Sequence, residues 1–70
     1  MNENVKANLA KNIKKIRKQN RLSQEALSLE LDFDGSYIGK IENRQMNVTI
    51  DRLIAIANFF KVDFKELFRN

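Results

Sequence analysis

The sequence predicts an all-α fold of five short helices in one domain spanning residues 1–70. Three observations lead there. Proline is absent and the only glycines are Gly35 and Gly39, so few residues break a helix. Val5, Leu9, Ile13 and Ile16 recur at steps of four, four and three, which draws one apolar stripe along a helix. A third pattern occurs four times after that stripe ends at Asn20-Arg21. An apolar residue precedes a capping residue, and a second apolar residue follows four after the cap: Leu22-Ser23 with Leu27, Phe33-Asp34 with Ile38, Val48-Thr49 with Leu53, and Val62-Asp63 with Leu67. Ser, Asp and Thr accept from the unpaired amides of a first helical turn, and the flanking apolar pair staples the entering chain to it.

The elements follow in order. The stripe predicts a first helix over 4–19. The four caps predict helices over 24–31, 35–43, 50–60 and 64–69, the last with a capping box because Glu66 lies three after Asp63. Only Asp32-Phe33-Asp34 joins the second helix to the third, so that connection is a tight turn. Residues 44–48 form a polar loop. No strand alternation, repeat or low-complexity tract is present.

Composition narrows the function. Cysteine and histidine are both absent, which removes disulfides, thiol nucleophiles, zinc sites and imidazole acid–base chemistry. Asp32 and Asp34 flank a turn and are explained by turn and capping chemistry. The expectation is therefore no enzyme, no metal and no cofactor. Apolar runs are short, which predicts no membrane span or signal peptide and a soluble cytoplasmic protein. The net charge is +4, unevenly spread. Residues 1–21 carry seven basic side chains and one acidic, a net of +6, and the remainder carries a net of −2. A basic segment on a near-neutral body suits a polyanion, although a solvated helix face has the same composition.

The helix–turn–helix at 23–43 has the size of a DNA-reading unit. Ile38 and Ile41 face inward on its second helix, while Ser36, Tyr37, Lys40, Asn43 and Arg44 lie on or near the outer side. One face packs and the other is free to enter a major groove.

At these residues the chain resembles the phage Cro and repressor type of helix-turn-helix protein, the lambda-repressor-like fold. Leu22-Ser23-Gln24-Glu25-Ala26-Leu27 is similar to the opening of the motif. Asp34-Gly35-Ser36-Tyr37-Ile38-Gly39-Lys40-Ile41-Glu42-Asn43 is similar to its recognition helix, and the apolar pattern from Ile50 to Leu67 to its closing helices. Met46-Asn47-Val48-Thr49-Ile50 and the chain length further resemble restriction–modification controller proteins.

The resemblance implies roles for individual residues. Gln24 matches a glutamine that contacts phosphate and sometimes a base edge. Ser23, at the same helix start, is either a phosphate seat or only a cap. Ser36, Tyr37 and Lys40 match positions that reach into the groove. Lys40 suits guanine O6/N7 or a phosphate, and Tyr37 suits a thymine methyl or an amphipathic cover over the motif. Asn43 and Arg44 match phosphate contacts at the helix end, although Asn43 also suits a left-handed C-terminal residue. Arg17 and Glu42 match a structural salt bridge between the first helix and the recognition helix. There are departures too: Gly35 stands where a long polar base-reading residue is frequent, Ser28 replaces a common alanine, and Asp32, Arg44 and Lys61 stand where glycine is usual. Gly35 and Gly39, placed on one helix face, either admit the backbone close to the bases or merely remove contacts.

The apolar surplus of the last two helices points to a second copy. Four of the five phenylalanines lie there, more than a core this small hides. Ile54, Phe59, Phe64 and Phe68 are candidate interface residues of a homodimer that would set two recognition helices about 34 Å apart on double-stranded DNA. Four to six neutralised phosphates per dimer imply a salt slope of about −4 to −5. The favoured expectation is a sequence-specific transcriptional regulator on a pseudo-palindromic operator, autoregulatory and controlling a restriction–modification system. A phage-type repressor is the alternative, as is an antitoxin- or anti-repressor-like interaction module. Glu25 and Glu30 would be available to RNA polymerase in an activator.

Overall fold

A computed structural model describes all of residues 1–70. Four α-helices, α1 (Glu3–Gln19), α2 (Gln24–Glu30), α3 (Tyr37–Glu42) and α4 (Ile50–Phe60), are followed by a closing 3-10 helix, Phe64–Phe68. Three of the four α-helices start on a polar side-chain cap. The side chains of Asn2, Ser23 and Thr49 accept from the amides of Val5, Ala26 and Arg52 at 2.9, 3.0 and 3.2 Å. The apolar residues set by helical spacing meet in one core, in which Leu9, Ile13, Leu27, Ile38, Leu53, Ile56 and Leu67 are fully buried. α1 lies against α3 and the closing helix, and α2 against α3. The Asn12 amide donates to the carbonyls of Leu67 and Arg69 at 2.9 and 2.7 Å, which ties the chain's end to the middle of α1.

Three features differ from the sequence expectation by more than a residue at a helix end. α3 begins at Tyr37, two residues late, because Asp34 acts outside the helix. Its Oδ1 accepts from the Ser36 amide at 2.9 Å and the Ser36 hydroxyl at 2.6 Å, holding Gly35 and Ser36 in a turn that leads into the helix. Gly35 is therefore not on a helix face. The fifth element is a 3-10 helix rather than an α-helix. Its expected capping box does not form: Asp63 makes no side-chain cap bond, and Glu66 pairs with Arg69 at 3.0 Å.

The four α-helices end alike. Arg21, Asp32, Arg44 and Lys61 all have φ between 57 and 60°. After each helix the amide of this residue bonds three residues back and the next amide bonds five back. Examples are Lys61 to Asn58 with Val62 to Ala57, and Arg44 to Ile41 with Gln45 to Lys40. These are Schellman endings, for which glycine is the usual left-handed residue. Here four charged residues take its place. Asn43, for which a left-handed conformation is one of two sequence readings, has φ of −89°, and Arg44 holds that position instead.

Candidate nucleic-acid interface

Ser28 sets α3 against α2. Its fully buried hydroxyl donates to the Gln24 carbonyl at 2.9 Å and accepts from the Ile38 amide at 3.0 Å. An otherwise unpaired amide of the first turn of α3 is thereby satisfied from a neighbouring helix. Ile38 and Ile41 then anchor α3 in the core, which leaves Lys40 and Asn43 exposed.

Gln24, Gly35, Ser36, Gly39, Lys40 and Asn43 come together, with Glu25 and Gln45, around one open cleft of about 360 Å³ that has no apolar lining residue. Ser23 lies beside it as the cap of α2, its Oγ accepting from the Ala26 amide. Because the Ser36 hydroxyl donates to Asp34, only its lone pairs remain for a ligand. These bonds from Ser36 hold the Asp34 carboxyl below its ordinary pKa of 3.8, with a smaller contribution from Lys40.

Tyr37 does not join this group. Its ring is buried, packs edge-on to Phe33 at 4.9 Å between centroids, and lies beneath the Arg52 guanidinium at 4.5 Å. Of its two sequence readings, the cover over the motif is the one the geometry favours. The ring fills space between α3 and α4 and is not free to enter a groove.

A bidentate bridge lies behind Gln24 of the cleft. Arg17 Nε and Nη2 donate to Glu42 at 2.8 and 3.0 Å, and Arg17 Nη1 donates to the Leu22 carbonyl at 2.8 Å. Both side chains are almost fully buried. Gln24 Nε2 donates to the same carboxylate at 3.0 Å, so the α1–α3 bridge also holds a residue of α2.

The basic first helix, whose lysines the sequence reading offers to phosphates or a general field, enters here. Lys11 and Lys14 of α1 flank a shallow groove with Arg44 and Glu42, which extends positive charge past the end of α3. Lys15 lies on a different face, beside Gln19, Glu66 and Arg69. Helical spacing alone does not separate these lysines, since position 15 lies about 40° from 11 on one side and position 14 about 60° on the other. Nothing in the sequence marked which face lies beside α3. Glu25 and Gln45 carried no such signal either.

The apolar candidates are divided. Ile54, Phe59 and Phe64 are exposed, as is Ile50. Phe68 is half-buried against the core and packs on Phe64 at 5.1 Å. At about 100° per residue, Ile50 and Ile54 share one flank of α4, while Phe59 lies about 140° around the helix from Ile54. The candidates therefore do not form one continuous stripe on α4.

Comparison with known proteins bears on the family and the fold. The helix-turn-helix family model matches residues 13–67. The control protein C.SmaI of Serratia marcescens is 35% identical over 63 residues, 90% of this chain and 75% of that protein. C.MunI of a Mycoplasma species is 35% identical over 65 residues, 91% of this chain and 88% of that one. Among solved structures, the restriction–modification controller protein C.AhdI of Aeromonas hydrophila superposes with a TM-score of 0.82 at 28% identity, covering 90% of this chain and 96% of that one. A hypothetical transcription factor from Neisseria, NHTF, superposes with a TM-score of 0.88 at 25% identity, covering 93% and 75%.

Proposed function

Since the chain belongs to the helix-turn-helix family, and within it to the restriction–modification control proteins, we propose that it is a sequence-specific DNA-binding regulator acting as a homodimer on a pseudo-palindromic operator. The observation that carries this reading is the polar cleft at the exposed face of α3, bordered by Lys40 and continued by the Lys11, Lys14 and Arg44 groove. Base edges are read by polar groups presented from a helix, while flanking cations take phosphates and fix its register. Ser23, Gln24, Gly35, Ser36, Gly39, Lys40, Asn43 and Arg44 form the contact surface in this reading, and Tyr37 supports it from beneath. Gly35 and Gly39 leave the cleft open, so groove shape supplies part of the specificity.

Exposed Ile50, Ile54, Phe59 and Phe64 supply apolar area for the second copy. The regulated genes are those of a restriction–modification system, with control through the protein's own concentration at its own promoter. No helix is long and apolar enough to cross a membrane, in keeping with action on DNA in the cytoplasm. Glu25 and Glu30 are exposed on α2, where a polymerase contact would lie in an activator.

Selection of duplexes from a random pool tests the reading. Enrichment of one sequence with two related half-sites supports it. No enrichment over competitor overturns it in favour of a protein-interaction module.

A further inference from the structure

We propose that Gly39 and Glu42 are positioning residues that fix the hydrogen-bond polarity of Gln24, so that Gln24 presents an acceptor to a base edge bearing an exocyclic amino group. This rests on the regulator reading and adds a specificity rule to it.

A glutamine amide can turn either end toward a partner, and only its surroundings decide which. Here they decide it. Glu42 is held by both Arg17 donors at 2.8 and 3.0 Å and is almost fully buried, so its ionised carboxylate only accepts. Gln24 must offer Nε2, which it does at 3.0 Å. Its carbonyl Oε1 is thereby turned the other way, along α3, where no protein donor meets it.

Gly39 makes room for that arrangement. A Cβ at position 39 would lie 3.1 Å from Gln24 Oε1 and 3.6 Å from its Cδ, tighter than ordinary contact. Without it the amide sits close to α3 at Gly39 and lines the polar cleft beside Ser36 and Lys40.

The major-groove groups that complement an acceptor are adenine N6 and cytosine N4, whereas guanine O6 and thymine O4 are acceptors themselves. Gln24 then discriminates at one position of each half-site, adenine or cytosine against the other two bases, by roughly ten- to a hundredfold.

The test uses the full chain and the duplex it selects from a random pool. Each position of the half-site is substituted in turn, and the affected base is replaced by an analogue lacking only its amino group. Parent, Gln24→Met and Gly39→Ala are compared. The parent loses roughly ten- to a hundredfold in affinity at one position with the analogue. Both variants lose the preference at that same position, while the thermal midpoint of Gly39→Ala is unchanged or raised, because alanine favours a helix over glycine. Retention of every base preference by both variants overturns the inference. So does a uniform loss of affinity across all sequences, which marks Gln24 as a phosphate contact. Failure of the parent to select any sequence is a separate outcome: it removes the regulator reading itself and the inference with it.

Discussion

The Ser28 hydroxyl accepts the Ile38 backbone amide at 3.0 Å, joining the two helices of the motif through a bond buried from solvent. A backbone donor left unpaired in a core costs about 1–3 kcal/mol. Ser28→Ala therefore destabilises the chain by about 1–2 kcal/mol, although alanine is the better helix former and is common at this position in the proteins the motif resembles. Urea unfolding of the two proteins measures the difference.

Lys61 and Arg44 occupy left-handed backbone at φ of 58° without being glycine. That conformation strains a residue with a Cβ by about 1–2 kcal/mol, and the extra unfolded-state freedom of glycine offsets roughly 0.5–1 kcal/mol of the relief. Lys61→Gly thus gains about 0.5–1 kcal/mol. Arg44→Gly gains a similar amount but weakens DNA binding, since Arg44 lies in the basic groove with Lys11 and Lys14. Melting curves paired with a binding isotherm for each variant separate the two effects.

Glu42 accepts from Arg17 and Gln24 with its side chain 3% exposed. Removing one partner of a buried pair leaves the other charge without compensation, at about 3–5 kcal/mol. Glu42→Ala should therefore lose about 3 kcal/mol or more. The double variant Arg17→Met with Glu42→Leu should lose much less, because an apolar pair of similar volume replaces the bridge. Denaturant midpoints for the two singles and the double give the coupling.

Much of this fold was legible because the signals were local. The caps at Ser23 and Thr49 and the helical spacing of Leu9 and Ile13 follow from neighbours within a turn, and α4 runs over 50–60 as its cap and apolar pattern indicate. The misplaced start of α3 also has a local cause: Asp34 bonds Ser36 two residues on, making a turn where a helix cap was expected. The 3-10 ending was not legible, because Asp63 and Glu66 have the spacing of a capping box yet do not form one. Gln24, Gly35, Ser36, Gly39, Lys40 and Asn43 meet around one cleft, but orientation was not legible throughout. Tyr37 reads as an outward residue, and only the positions of Phe33 and Arg52 show that its ring is enclosed. The Gln24–Glu42 bond, 18 residues apart, and the Ser28–Ile38 bond left no pattern in the sequence.

The Asp34 carboxyl is held below its ordinary value of 3.8 by bonds from the Ser36 hydroxyl and amide. A lowered folded-state value means that the carboxylate is favoured by the fold. Its contribution is complete above the unfolded value and is lost as pH falls below it through the lowered one. Ser36→Ala removes the larger of these bonds, so the Asp34 titration moves up toward 3.8. Carboxyl-carbon NMR titration of both proteins follows it directly, and an unchanged Asp34 titration contradicts this account of the turn.

Sedimentation equilibrium of the full chain, alone and with the duplex it selects, tests the central claim most directly. The claim is that two copies present two α3 faces to one operator. It predicts a dimer in free solution, two chains per selected duplex, and affinity falling with salt at a slope of about −4 to −5. Ile54→Asp, on the Ile50 flank of α4, shifts the free protein toward monomer and lowers operator affinity together. A protein that remains monomeric, selects no sequence and binds duplexes of any sequence equally would contradict the account.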